Sequence, residues 1–282
     1  MKDTVIKFGP NRSLLGILTE PDKEQLVADS PTAVILNAGI THRVGPFRLH
    51  VNLARELAAN GFRSLRLDLS GLGDSQIRDG KKSLAERAEL DVKDAFDALG
   101  DKLSLNRFVL IGLCSGAFNS HRISVADDRV VGAVFMDGIA FRTPGFYLRQ
   151  GIDYLRPRKW RNAIKRRFNS DRKVESDNQK SARDLASTAF FDNSDLCQET
   201  TKCELQGLLD RGVRMLFLYT DGYDDVSGPA QFKEMFGLEP NRELLQLEYY
   251  NNSEHTFRLT ENRRKAVSRV ADWYATGFGL SS

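Results

Sequence analysis

Hydrophobic and polar positions along this chain follow two alternating periods. Short apolar runs at Ala33–Leu36, Phe62–Leu67, Phe108–Ile111, Val130–Met136, Val213–Tyr219 and Leu244–Tyr249 have the length of buried strands. Before them, Thr4–Phe8 and Leu14–Thr19, joined through Gly9-Pro10-Asn11, predict an opening hairpin. Between the runs the period shifts to that of a helix. Leu84, Ala88, Val92, Ala95, Phe96 and Leu99 mark one helical face, and Val267, Val270, Ala271 and Tyr274 another near the C-terminus. Strands alternating with helices through short links predict an α/β fold whose mostly parallel sheet is flanked by helices on both faces. One segment breaks the rhythm. From about Ala140 to Gln206 there is no convincing strand, and the stretch is far longer than an ordinary crossover. It carries Trp160, Phe168, Phe190, Phe191 and several helical patches, and is expected to form a helical lid between the sixth and seventh strands. A disordered loop is the alternative, best suited to the polar stretch Asn169–Ser181. The expected division is therefore a core of residues 1–139 and 207–282 and a lid of 140–206.

Composition narrows the function classes. The 282 residues suffice for one large core, and a net charge of +3 gives no argument for nucleic acid. No apolar run approaches the ~18 residues a bilayer span needs. The start, Met1-Lys2-Asp3-Thr4-Val5, lacks the apolar core of a signal peptide. Three cysteines without metal-ligand spacing suit a reducing cytoplasm, with no metal and no cofactor expected. Cys197 and Cys203 read as unpaired bystanders.

The sharpest chemical signal is Gly112-Leu113-Cys114-Ser115-Gly116, between the fifth predicted strand and a predicted helix over Ser115–Ala126. A strand-to-helix turn this tight has no room for side chains two positions either side of its apex. The two glycines select Cys114 as the apex; Ser115 would require Leu113 and Ala117 there, and Leu113 is too bulky. A thiol at that apex is a candidate nucleophile, activated by the helix N-terminus and by a nearby base. The rival reading is a free cysteine packed beneath a turn.

Three motifs carry a family resemblance: the Gly-x-Cys-x-Gly turn, Asp68-Leu69-Ser70-Gly71-Leu72-Gly73-Asp74-Ser75 after the fourth strand, and Glu254-His255-Thr256-Phe257 after the last. Over nearly its whole length the chain resembles the α/β-hydrolase superfamily. His42-Arg43-Val44-Gly45-Pro46 and the elbow look more narrowly like the exosortase-system-associated hydrolases. A cysteine elbow is also similar to those of dienelactone hydrolases, polyhydroxyalkanoate synthases and some thioesterase domains.

The resemblance implies a Cys-His-Asp triad. Of four histidines, His50 and His121 fall in predicted helices and His42 in the stretch expected to hold an oxyanion donor, so His255 is the expected base. Two carboxylates compete to orient it. Asp137 ends the sixth strand directly after an apolar run, where a carboxylate is costly to bury without a partner. Asp225 follows the seventh strand in the Gly-x-x-Asp pattern that most relatives use, though it also suits a turn. Asp137 is preferred and Asp225 is the alternative. The family geometry further implies oxyanion donors at the backbone of Ser115 and Ile40, close substrate approach at Gly39, and an anion grip at Arg43, with Arg48 nearby. Asp68 and Ser70–Ser75 are expected to be structural.

These expectations favour acyl transfer through a Cys114 thioester, from an ester or thioester to water, an alcohol or an amine. Lactone opening of the dienelactone type is the runner-up, and a non-catalytic scaffold binding an acyl group or carrier protein is the third reading. Charge adds one consideration. Between Arg142 and Lys173 eleven Lys/Arg stand against Asp153 and Asp171, a net +9 that exceeds the whole chain's surplus. Such a basic lid suits an acidic carrier protein, the phosphates of coenzyme A or peripheral contact with an anionic membrane, or is simply a solvated face.

Overall fold

The computed structural model describes residues 1–78, 80–155 (side chains to 152), 196–240 and 243–279. Eight strands form one sheet: β1 (Lys2–Phe8), β2 (Leu14–Glu20), β3 (Thr32–Ile35), β4 (Ser64–Asp68), β5 (Phe108–Leu113), β6 (Val130–Met136), β7 (Arg214–Thr220) and β8 (Leu245–Tyr250). Their spatial order is β1-β2-β4-β3-β5-β6-β7-β8. The opening hairpin pairs antiparallel, β2 runs antiparallel to β4, and every later pairing is parallel. Each expected strand is present, with ends that agree to within two residues.

Seven α-helices lie among the described residues: α1 (Leu49–Ala59), α2 (Leu84–Leu103), α3 (Ser115–Ala126), α4 (Pro144–Leu155), α5 (Gln198–Asp210), α6 (Gln231–Phe236) and α7 (Thr260–Phe278). The central strands explain the near-continuous apolar runs, because successive side chains serve opposite cores. Ala33, Ile35, Val109, Ile111, Val134, Met136, Leu216 and Leu218 point to the face covered by α1 and α7. Val34, Phe108 and Leu110 point the other way, onto Val92, Ala95, Phe96 and Leu99 of α2. On that same second face Ala133, Phe135, Met215 and Phe217 meet Leu205 and Leu208 of α5 and Phe232 and Phe236 of α6.

α4 opens the long insertion after β6 and is tied to the body through its roots. Arg149 spans Glu234 with two hydrogen bonds of 2.6 and 3.0 Å and reaches Ser227 at 2.8 Å. At the other end, α5 crosses the expected 206/207 boundary. Its Leu205 and Leu208 are buried against the sheet, so this helix packs as part of the core rather than over it. Its register follows from those two apolar positions, which the sequence could not assign to one side of the boundary or the other. Trp160, Phe168, Phe190, Phe191, the polar stretch 169–181 and nine of the eleven basic residues of 142–173 lie outside the described residues. No described helix is long and apolar enough to cross a membrane.

Candidate active site

The β5–α3 turn is as tight as the glycine spacing requires. Cys114 sits at its apex with φ 56° and ψ −120°, a conformation that a side-chain-bearing residue adopts only when the surroundings enforce it. A Cβ on Gly112 would stand 2.1 Å from backbone atoms of Gly116, and one on Gly116 would stand 2.7 Å from the Asn37 carbonyl oxygen. Neither position admits any other residue. The thiol is thereby held at the N-terminus of α3, where the unpaired N–H groups of the first turn favour negative charge.

His255 lies on the loop after β8, and its Nδ1 is 3.2 Å from Asp137 Oδ2. It also contacts Cys114, and it is 29% exposed. Burial pulls its pKa down, but Asp137 and Cys114 together outweigh that and push it up to about 10. The imidazole therefore holds a proton strongly between a carboxylate and a thiol.

Asp137 is fully buried and well satisfied. The Thr220 N–H donates to Oδ1 at 2.7 Å and the Thr220 hydroxyl to Oδ2 at 2.6 Å, while the Asp137 N–H bonds the Leu218 carbonyl at 2.8 Å. The cost of burying this carboxylate is thus offset by two hydrogen bonds besides the histidine. Asp225, the alternative, does not meet His255. Its Oδ1 pairs with Arg142 Nε at 2.8 Å, and both groups are exposed, so the Gly-x-x-Asp spacing here produces a surface ion pair just before α4.

The loop after β3 comes to the same turn. The Gly39 N–H donates to the Ser115 hydroxyl at 2.8 Å, tying this loop to the start of α3. Ile40 follows with its side chain 57% exposed, and its N–H has no acceptor among the described residues. The Ser115 N–H opens α3 and so has no partner within the helix. The Gly39–Ser115 bond thus ties the loop that carries Ile40 to the first residue of α3. Arg43 is otherwise engaged. Its guanidinium pairs with buried Asp68 and, at 2.7 Å, with Asp74, and its N–H donates to Asp68 at 2.6 Å. Two carboxylates already neutralise it, which removes the expected anion grip. Asp68 is accordingly a brace for the 37–43 loop, joined by Asn37, whose Oδ1 accepts the Leu69 N–H at 2.9 Å. Ser75 donates to the Asp68 carbonyl and accepts the Leu15 N–H.

His50 and His121 are buried away from this constellation, both neutral. Burial first, then Arg66 and His42, push His50 down to about 3; burial, then Arg122, push His121 down to about 4. Cys197 and Cys203 are free and exposed. No group of metal-ligating side chains occurs among the described residues.

The sequence reading missed the residues that set this geometry. Thr220 clamps Asp137, and the Tyr223 ring stacks on His255 with centroids 5.3 Å apart and planes 16° from parallel. Asp221 accepts the N–H groups of Asn252 and Ser253 at 2.8 and 2.9 Å, fixing the histidine loop. The only available signal was the polar cluster Thr220-Asp221-Gly222-Tyr223 directly after an apolar strand.

A family model described as "Alpha/beta hydrolase family" matches residues 34–269. Solved structures similar to this one include the alpha/beta hydrolase GrgF from Penicillium sp. sh18, 14% identical, with 99% of this chain and 100% of that chain covered at a TM-score of 0.64. The esterase Pf2001 of Pyrococcus furiosus is 15% identical, with 99% of this chain and 91% of that chain covered at a TM-score of 0.64. XC6422 of Xanthomonas campestris, described as an a/b serine hydrolase without lid, is 14% identical, with coverage of 98% and 94% and a TM-score of 0.55. At these identities the likeness is one of fold. No curated protein matches the chain.

Proposed function

The chain belongs to the alpha/beta hydrolase family, and from that premise we propose that it is an acyl-transfer enzyme working through a thioester on Cys114. The observation that carries this reading is the meeting of a thiol on a strained N-cap residue and a buried, twice hydrogen-bonded carboxylate on one imidazole. In this mechanism the thiol proton passes to His255, whose strong hold on it leaves the Cys114 sulfur as the nucleophile.

The steps follow from that state. Cys114 Sγ attacks the carbonyl carbon of an ester or thioester, and the carbonyl π electrons move to oxygen. That oxyanion is met by the N–H groups of Ser115 and Ile40. On collapse, the bond to the leaving alcohol or thiol breaks and His255 Nε2 delivers its proton to it. The acyl group remains on Cys114. Nε2, now neutral, takes a proton from water or another acceptor as it attacks the thioester, and the thiolate leaves to restore the starting pair. Asp137 keeps Nδ1 protonated throughout and orients the ring. Because a thioester reacts readily with amines as well as water, transfer and hydrolysis both fit a cysteine in this position.

The acceptor and the carrier are part of the proposal. A basic segment after α4 suits an acyl group delivered on coenzyme A or an acidic carrier protein, or at an anionic membrane surface. The test is direct: incubation with activated acyl esters of short and long chain, followed by mass spectrometry. A mass increase equal to the acyl group on the Cys114 peptide, absent in Cys114→Ala, is the expected result. No adduct with any chain length counts against the mechanism.

A further inference from the structure

The five residues that close β7, Tyr219-Thr220-Asp221-Gly222-Tyr223, each hold a different part of the constellation. Thr220 fixes the carboxylate and Asp221 fixes the histidine loop. Gly222 lets that loop come close, since a Cβ there would stand 2.8 Å from the Ser253 carbonyl oxygen and 2.9 Å from the His255 backbone nitrogen. Only the rotation of the imidazole about the line from Asp137 to Cys114 is left for something else to set. We infer that Tyr223 is a positioning residue of the reaction centre, its ring fixing the plane in which His255 meets both Asp137 and Cys114.

The inference rests on the acyl-transfer reading and follows from three observations. Contacts with Asp137 through Nδ1 and with Cys114 leave the ring free to rock about the line joining them, and the ring is partly exposed, so packing by the core does not stop it. Offset, near-parallel stacking at 5.3 Å and 16° does. Tyr223 is itself immobilised: it stacks on Tyr219 at 6.4 Å and 6°, and the Tyr219 hydroxyl donates to the Ile139 carbonyl at 2.6 Å. Backbone bonds from Tyr223 N–H to the Thr220 carbonyl and from Val226 N–H to the Tyr223 carbonyl close the turn. The stack also discriminates between protonation states. The electron-rich face of a phenol attracts an imidazolium more than a neutral imidazole, so Tyr223 favours the charged pair that the thiolate needs. The ring, not the hydroxyl, carries this effect.

Iodoacetamide alkylation of Cys114 from pH 5 to 9, followed by peptide mass spectrometry, reads the thiolate without requiring any substrate. Exposed Cys197 and Cys203 serve as internal controls in the same molecule. Tyr223→Phe should overlay the wild-type profile. Tyr223→Leu should move the pH midpoint of Cys114 alkylation upward by about one unit, a tenfold slowing on the rising limb of the profile, with Cys197 and Cys203 unaltered. A Tyr223→Leu profile that overlays wild type overturns the inference, as does an equal loss in Tyr223→Phe. Far-UV circular dichroism and the melting temperature of each variant separate loss of reactivity from loss of fold. Should wild-type Cys114 react no faster than Cys203, the thiol mechanism itself fails, and the Tyr223 inference with it. Normal Cys114 reactivity with no acyl adduct overturns the substrate class alone.

Discussion

At the scale of single residues, the two carboxylates that the sequence left in competition have different surroundings. Asp137 has no solvent, two donors from Thr220 and the histidine. Asp225 has water and Arg142. Replacing Asp137 with Asn removes the acceptor that fixes the His255 tautomer, and is expected to lower kcat by about three to four orders of magnitude. Asp225→Asn breaks an exposed ion pair of a kind that contributes little, and is expected to leave kcat within about threefold of wild type. Steady-state assays on an activated ester separate the two, and a crippled Asp225→Asn with an active Asp137→Asn would reverse the assignment. The elbow was legible residue by residue because it is a steric demand on near neighbours in sequence, so Gly112, Cys114 and Gly116 announce it without a fold. Tyr223 was not, because a stacking contact with a residue 32 positions later has no local signature.

Among the elements, α4 stands apart. One side is held by Phe146, buried, and by Arg149 on Glu234; the other leaves Tyr147, Leu148 and Ile152 exposed. The helix is thus fastened to α6 chiefly through one guanidinium and one carboxylate. Arg149→Met keeps the aliphatic stem but removes both ion-pair bonds and the Ser227 contact. It should raise amide exchange over residues 144–152 while α1 and α7 keep their protection, as read by hydrogen–deuterium exchange. Unchanged exchange in α4 would mean that Phe146 alone anchors it. Helix α3 matched its expected span because the elbow fixes its start. Helix α5 runs across the 206/207 division, because an amphipathic helix looks the same in sequence whichever layer it joins.

For the whole molecule, its histidines make stability depend on pH in two opposed ways. His50, down to about 3, and His121, down to about 4, stay neutral when folded. Unfolded, they take up protons below their ordinary value near 6.5, so acid favours unfolding progressively from there to about pH 4. His255 works the other way. Its pKa of about 10 contributes stability that is full below about 6.5 and is lost as pH rises to about 10. His50→Phe, which also removes two ring nitrogens lacking hydrogen-bond partners, should flatten the acid side. His255→Ala should flatten the alkaline side. Urea unfolding at about pH 4.5, 7 and 9.5 tests both, and parallel curves for variant and wild type would refute either assignment.

What the sequence alone determined were the features whose causes are local. Strand periodicity, the glycine-flanked apex at Cys114 and the Asp-rich loop from Asp68 follow from the sterics and burial of neighbouring residues. What only the tertiary structure decided were the pairings. Which carboxylate touches His255, that Arg43 is consumed by Asp68 and Asp74, and that the end of β7 braces Asp137 and His255 together depend on strands and loops far apart in the chain. Hydrogen bonds and ring stacks act over a few ångströms in space, and nothing in the order of residues records that distance until the parallel sheet brings β5, β6, β7 and the loop after β8 side by side.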